Sequence, residues 1–354
     1  MNLRIGFAYN QKPSGGDGPS SEEPPSEEPP SSGSHDRYAE WDDPATIVAI
    51  ESALRRAGEV IRLEATSDFP QKLRDLKPDI VFNVAEGLHG PSREAHVPAI
   101  CEFYGVPYTA SDPLTLSLAL DKSRAKEVFL ARGVPTPAWA ILSDGSQLES
   151  GWEGGSGPWI VKPLYEGSSK GIPARALCKT AEEVTARVAE IMAEYRQPAL
   201  VEEFLPGREF TIGILGNGAG ARALPLVEIC FDALPVGALP VYGYEAKWIW
   251  DTPERPLRIF DCPAALEGKL AEAVASTALA AYHALGCRDW ARVDVRFDAD
   301  ERPHVLEVNP LPGVLPDPAQ NSCLPKAALA AGIDYEDLIL RVLDIALARY
   351  GMTR

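Results

Sequence analysis

Arg292 and Asp294, and then Glu307 and Asn309, stand two apart within the stretch WARVDVRFDADERPHVLEVNPLPG, residues 290–313. On a β-strand, residues two apart share a face. The segment reads as two short strands, ARVDVRF and HVLEVNP, joined by the turn formers Asp298-Ala299-Asp300-Glu301-Arg302-Pro303. If the two faces align, three oxygen-bearing side chains and one guanidinium meet on one patch. Asp, Glu and Asn offer hard oxygen ligands, suited to Mg²⁺ held jointly with phosphate. Val293, Val295, Val305, Leu306 and Val308 read as core positions. A surface hairpin with scattered charges is the competing reading.

Other stretches add chemistry of the same kind. Lys162 ends an apolar strand, and Glu166-Gly167-Ser168-Ser169-Lys170-Gly171 follows. Glycines let backbone N–H groups approach phosphate, Ser168 and Ser169 add hydroxyl donors, and Lys162 adds charge. A Gly-rich hairpin turn would look the same, and GxxxxGK[ST] is absent. Glu202-Glu203-Phe204-Leu205 ends another apolar strand, with Glu209 beyond a Pro206-Gly207 turn. Such acids usually face water, whereas a nucleotide site needs a strand end for the base and an acid for the ribose. Lys247 lies in YEAKWIW, where a salt-bridged strand is the bland alternative. Of the five histidines, His89 alone sits in a strand-end loop, beside Gly90 and ahead of Glu94. No histidine spacing suits a metal, and no Ser–His–Asp or Cys–His nucleophile pattern is supported.

The elements that must position these residues alternate. Leu3–Tyr9 reads as a buried strand. Asp43-Pro44 opens a helix closed by Gly58. Strands at 60–63, 79–84 and 106–109 follow, with helices at 69–76 and 95–104 between them. Strand–helix alternation to about residue 115 implies a parallel, doubly wound sheet whose ligand loops lie at the strand C-termini. Leu114–Arg132 reads as one helical stretch carrying Asp121-Lys122. Strands at 138–142, 159–163 and 199–203 surround an amphipathic helix, 181–195, as a compact α+β unit. From Glu209 the pattern turns strand-rich, with helices at 264–285 and 326–350.

Composition sets outer bounds. At 354 residues and 45% hydrophobic content, more than one domain is expected. The net charge of −17 argues against general affinity for nucleic acid or anionic membrane. The tract at about 11–37, with SEEPPSEEPP, reads as a disordered insertion. The six cysteines form no CxxC pair, which points to a cytosolic, reduced protein. No apolar run approaches a membrane span, and the N-terminus lacks signal-peptide features.

In order, DK (121–122), VKP (161–163), EGSSKG (166–171), VEEFLPGREFT (201–211), YEAKW (244–248), ARVDV (291–295) and LEVNPLPG (306–313) form a series. It closely resembles the ATP-grasp superfamily, in its D-alanine–D-alanine ligase branch, from about Asp79 to Tyr350 and more loosely before. The resemblance implies an α/β fold of three domains: a Rossmann-like parallel-sheet domain at 1–115, a small α+β lid at 116–203 and a large α+β catalytic domain at 204–354. It implies a homodimer, amino-acid or related carboxylate and amine substrates, and a cell-wall precursor step. ATP would lie between the last two domains. Lys122 and Lys162 would contact its phosphates, Lys247 the γ-phosphate, and the loop Glu166, Gly167, Ser168, Ser169 and Gly171 would close over them. Glu202, Glu203, Phe204 and Leu205 would frame adenine, and Glu209 would hold the ribose. Asp294, Glu307 and Asn309 would hold two Mg²⁺, replaceable by Mn²⁺. Arg292 and the N–H of Gly313 would stabilise an oxyanion, with Ser168 beside the reacting centre. His89 and Glu94 would lie near the amino-acid substrate.

Three departures concern the substrate half. The family's Lys-Tyr pair is Lys247-Trp248. Its Ser-bearing segment after Pro-Gly falls on Val314–Ala319, with Pro318 near the serine and Asp317 set to repel a carboxylate. Its N-terminal acidic motif is displaced by the insertion, leaving Glu40 or Asp42 as unassigned stand-ins. A ligase for a different amino acid, dipeptide or specialised metabolite, a non-catalytic ATP-binding module and a carboxylase-type subunit are the alternatives to a D-alanine–D-alanine ligase.

Overall fold

The computed structural model describes residues 3–13, 38–143, 155, 157–251 and 257–354. The Pro/Glu-rich tract falls mainly on 14–37, and the Gly/Ser-rich joint on 144–154 and 156, outside the described residues. Before that tract, Gln11 forms a parallel bridge with Asp42.

Three sheets organise the chain. In the first, β1 (Leu3–Tyr9) lies between β2 (Gly58–Glu64) and β3 (Ile80–Asn83), all parallel. Both faces are covered, so β1 and β3 are near-continuous apolar runs. On one face, α2 (Phe69–Leu76) and α3 (His96–Tyr104) bury Phe69, Leu73, Val97 and Cys101. On the other, α1 (Pro44–Arg55) packs with the last helix of the chain, which returns to this sheet.

Two expectations here are corrected. Gly58 does not close α1 but begins β2. It is glycine because a Cβ would stand 2.1 Å from the Leu3 carbonyl oxygen of the neighbouring strand. The strand expected at 106–109 reduces to a single bridge, Val81 to Tyr108.

The helical stretch expected as one piece is two, α4 (Pro113–Leu120) and α5 (Lys122–Ala131). Asp121 is the reason. Its backbone is extended, and its carboxylate accepts from the N–H groups of Ser123 and Arg124, both at 3.1 Å, so it caps α5. The break sets Lys122 at the first turn of α5, with Lys126 on the same face one turn later.

The second sheet is antiparallel, in the order β4 (Trp139–Leu142), β7 (Ala199–Glu203), β5 (Trp159–Pro163), β6 (Leu177–Cys178). One face is covered by α6 (Ala181–Tyr195), which starts at a reciprocal cap between Thr180 and Glu183.

The third sheet runs β11 (Phe260–Asp261), β10 (Val227–Ile229), β8 (Glu209–Leu215), β12 (Trp290–Phe297), β13 (Pro303–Asn309), with β9 (Arg222–Ala223) also on β8. Its core face buries Phe210, Ile212, Val293, Val295, Val305 and Val308 against α7 (Gly268–Leu285). Arg292 pairs with Asn309 and Asp294 with Glu307; the register then shifts so that Val295 meets Val305. Leu306 is the extra residue of that bulge. It therefore leaves the core face where it was expected and lines the cavity opposite. The stretch around Lys247 is also corrected: Ala246–Trp250 is a π-helical turn, not a strand.

α8 (Cys323–Ala330) and α9 (Tyr335–Arg349) end the fold. At the end of α9, Arg349 donates to both oxygens of the fully buried Asp289, at 3.1 and 2.8 Å. Asp289 also accepts from the Ala110 N–H and Asn217 Nδ2, at 2.9 and 2.8 Å. One carboxylate thus ties α9 to the loop after the first sheet and to the end of β8. Asp289→Ala removes the shared acceptor of a half-buried guanidinium and an amide, which costs about 1–3 kcal/mol. A lowered urea midpoint is expected; an unchanged midpoint rules out this role.

Candidate active site

Alternation along β8, β12 and β13 places the polar side chains on the sheet face away from α7. Arg292, Asp294 and Arg296 come from β12, Glu209 and Thr211 from β8, and Glu307 and Asn309 from β13. Cross-strand register sets Arg296 opposite Glu209, with NH1 donating to Oε2 at 2.8 Å, and Asp294 opposite Thr211. The face fronts a cavity of about 430 Å³, within the range of small-ligand sites. Lys162, Phe204, Glu209, Lys247, Arg292, Asp294 and Glu307 are among its walls.

At the centre, Arg292 grips Asp294 with two bonds, Nε to Oδ1 at 3.1 Å and NH2 to Oδ2 at 2.9 Å. Glu307 lies 3.6 Å from the same guanidinium. Asn309 Nδ2 stands 3.4 Å from both carboxylates, drawing the three oxygen-bearing side chains into one cluster. Burial opposes the charge on Glu307, but Lys122, Lys162 and Arg292 outweigh it and hold its carboxyl down at about 2. Asp294 is pushed up by burial, beyond what Arg292 offsets. The set offers only oxygen donors, each with lone pairs to spare, and so fits a hard divalent cation.

Four cations converge on this cluster. Lys122, from the first turn of α5, donates to the Glu166 carbonyl and lies 4.0 Å from Glu307. Lys162 donates to Glu202 at 3.2 Å; burial opposes its charge, but Glu202 and Glu307 more than compensate. Lys247 is pushed down to about 8 by burial, with Arg292 acting in the same direction. Arg292 is the fourth.

The phosphate-loop candidate takes its shape from left-handed residues: Ser168, Ser169 and Gly171 have φ of 51°, 60° and 66°. At Gly171 a Cβ would stand 2.4 Å from the Pro163 ring, so no larger residue fits without moving the loop. Gly167, Ser168 and Ser169 line the cavity. The Ser169 hydroxyl donates to the Tyr242 carbonyl at 2.9 Å, fastening the loop to the segment between β10 and β11. Glu166 turns away, pairing with Lys170 and accepting from Gln197 at 2.9 Å.

Several expected placements differ. Glu202 lines the cavity and is buried between Lys126, at 2.7 Å, and Lys162. Glu203 is exposed but lines the cavity with Phe204 and Leu205. His89 and Gly90 are exposed and line neither this cavity nor the smaller one beside it. Glu94 does line the smaller one, with Glu40, Glu86, Lys122, Arg292, Asn309 and Gly313. Burial and neighbouring acids raise Glu94 to about 7 and Glu86 well above the usual carboxylate range. Asp317 and Pro318 are exposed and line neither cavity. Their place on the wall is taken by Asn321 and Ser322. Ser322 Oγ donates to the Gly313 carbonyl and accepts from the Leu315 N–H, both at 3.1 Å. Its signal was a serine just before the helix CLPKAALA, the position of a cap. Lys126, Arg296 and Arg93 had no such signal, because their partners lie far off in the chain. All six cysteines are free, and no helix among the described residues is long and apolar enough to cross a membrane.

Comparison with known proteins agrees with this geometry. The family model described as D-ala D-ala ligase C-terminus matches residues 129–344. The D-alanine–D-alanine ligase of Bordetella pertussis is 37% identical over 302 residues, covering 85% of this chain and 89% of that one. The enzyme of that name from Bordetella petrii is 36% identical over 271 residues, 77% of each chain. An uncharacterised protein of Sinorhizobium fredii is 38% identical over 271 residues, 77% of this chain and 75% of the other. The crystal structure of the Bacillus anthracis D-alanine–D-alanine ligase complexed with ATP superposes with a TM-score of 0.69 at 24% identity, covering 99% of both chains. Sequence and fold together place the chain in the D-alanine–D-alanine ligase family, with the ATP-grasp architecture.

Proposed function

We propose that this chain is an ATP-dependent ligase that joins a carboxylate to an amine through an acyl phosphate, in the manner of a D-alanine–D-alanine ligase. The observation that carries the reading is the meeting of Lys122, Lys162, Lys247 and Arg292 with Asp294, Glu307 and Asn309 around one cavity. Domains at 1–115, 116–203 and 204–354 belong to the same reading, with ATP between the last two.

A carboxylate is a poor electrophile. Transfer of the γ-phosphoryl group to it gives ADP and an acyl phosphate, whose phosphate is a good leaving group. Charge builds on the phosphoryl oxygens during transfer. Lys122 and Lys162 neutralise the outer phosphates, and Lys247 sits toward the γ-phosphate. Asp294, Glu307 and Asn309 would hold Mg²⁺, which when bound supplies further charge neutralisation and orients the phosphates. The adenine packs at the apolar end, near Ile160, Phe204, Leu205, Ile229 and Leu306. Glu209, oriented by Arg296, faces the ribose.

The acceptor amine then attacks the acyl carbon and expels phosphate. Arg292 and the Gly313 N–H are the donors for the tetrahedral oxyanion. The Gly167–Gly171 loop excludes water, which would otherwise hydrolyse the acyl phosphate. Glu86 and Glu94, in the smaller cavity, favour a first substrate with a free ammonium group. Ser322 and Asn321, neutral side chains on the wall of the larger cavity, face the second amino acid.

Phosphate release and product mass, measured with ATP, Mg²⁺ and single D- and L-amino acids, should give ADP and a D-alanyl dimer with D-alanine. Silence with D-alanine but turnover with another amino acid would move the specificity while keeping the reaction. Asp294→Ala should abolish ADP formation, and an undiminished rate would refute the metal assignment. Lys162→Met removes a charged phosphate contact and should raise the KM for ATP about 10–100-fold; an unchanged KM would remove Lys162 from the nucleotide site.

A further inference from the structure

Glu40, at the turn just before α1, is nearly buried and sits where two distant parts of the chain meet. It accepts from Arg93 NH2 at 3.0 and 2.9 Å, from Lys170 Nζ at 2.9 Å and from the Gly167 N–H at 2.9 Å. Arg93, in the loop after β3, donates through NH1 to the Tyr165 carbonyl at 2.8 Å and lies 3.5 Å from Glu166. Lys170 closes the ring by pairing with Glu166. The side chains of Arg93, Glu40, Lys170 and Glu166 are 6, 7, 7 and 15% exposed.

Two cations and two anions thus neutralise one another out of solvent. Lys170 belongs to the Gly/Ser loop, yet its charge is engaged by Glu40 and Glu166 and is directed away from the cavity's cation cluster. The glycine at 167 answers to the same contact, because a Cβ there would stand 2.5 Å from Glu40 Oε1. Burial opposes the charge on Glu40, but Arg93 and Lys170 prevail and hold its carboxyl down at about 2. Glu40 and Arg93 belong to the C-terminal edge of the parallel sheet; Tyr165, Glu166, Gly167 and Lys170 belong to the loop after β5.

We propose that Arg93 and Lys170, bridged by Glu40 and Glu166, form an ionic latch that holds the Gly167–Gly171 loop shut over the two cavities. The inference rests on the ligase reading for its consequence in turnover, though not for the latch itself. Arg93 and Lys170 are positioning residues: they keep Gly167 and Ser168 in place over the reacting groups and so keep water from the acyl phosphate. Removing one member leaves the buried ring with an uncompensated charge, which favours the open loop.

The test has two arms. Hydrogen exchange at Gly167–Gly171, without substrate, should quicken by about tenfold or more in Lys170→Met and in Glu40→Gln, since the latch sets the local opening equilibrium. Lys170→Arg should restore most of the protection, and the double variant should lose less than the product of the two single effects. In turnover, the amide formed per ADP should fall in Lys170→Met, with the KM for ATP changed less than the coupling ratio. Should Lys170→Met fail to fold, Glu40→Asp keeps the charge one methylene short and should give intermediate exchange. Unchanged exchange and an unchanged amide-to-ADP ratio in folded variants overturn the latch. A wild-type chain that makes no ADP with any amino acid overturns the ligase reading instead, and the exchange arm still decides the latch.

Discussion

The structure depends on a face of charge set against a sheet whose other face is dry. β8, β12 and β13 send Phe210, Ile212, Val293, Val295 and Val308 to one side and Glu209, Asp294, Arg292, Arg296, Glu307 and Asn309 to the other. Ionised groups are costly to bury singly, and neutralise or pair when forced inside. Here each charge has a partner at short range: Glu209 with Arg296, Asp294 with Arg292, Glu202 with Lys126 and Lys162. The apolar side fixes the strands, and the strands in turn fix the distances between charges. A site preorganised this way needs little rearrangement when charge develops on a bound phosphate.

Period-two spacing made the central cluster readable before any coordinates. Arg292 and Asp294, and Glu307 and Asn309, were expected to share a patch, and the β12–β13 register sets them opposite one another. The bulge was not readable, because one extra residue in a strand leaves no mark on composition. It sends Leu306 to the cavity side. Local chemistry explains other misses: Asp121 splits a continuous helical pattern by capping within it, and Pro318 drew attention away from Ser322, nine residues after Gly313. The D-alanine–D-alanine ligase family itself was legible, since its motifs lie on strand ends and turns, where residue type and spacing act locally.

The non-local ion pairs were out of reach. Glu40 and Lys170 are 130 residues apart, Arg93 and Glu40 are 53 apart, and Lys162 and Glu202 are 40 apart. Nothing in the neighbourhood of Lys170 distinguishes a phosphate ligand from a lysine serving a distant carboxylate. The same applies to Glu202, whose position at a strand end suggested a nucleotide-facing acid. Its burial between two lysines makes it a counterion of the cation wall that also lines the cavity.

The return of α9 to the first sheet has a consequence for how the chain is made. Ile47, Ile50 and Leu54 of α1, with β1 beneath them, are covered in part by Leu338, Ile339, Val342 and Leu343, contributed by the last helix. During synthesis the parallel sheet emerges well before α9, whose residues seal one of its faces. That face stays open to water, or to a chaperone, until α9 has been made, so this part of the core cannot finish folding as the intervening chain lengthens. Its contacts join segments far apart in the polypeptide, a long loop to close and a slow one to find.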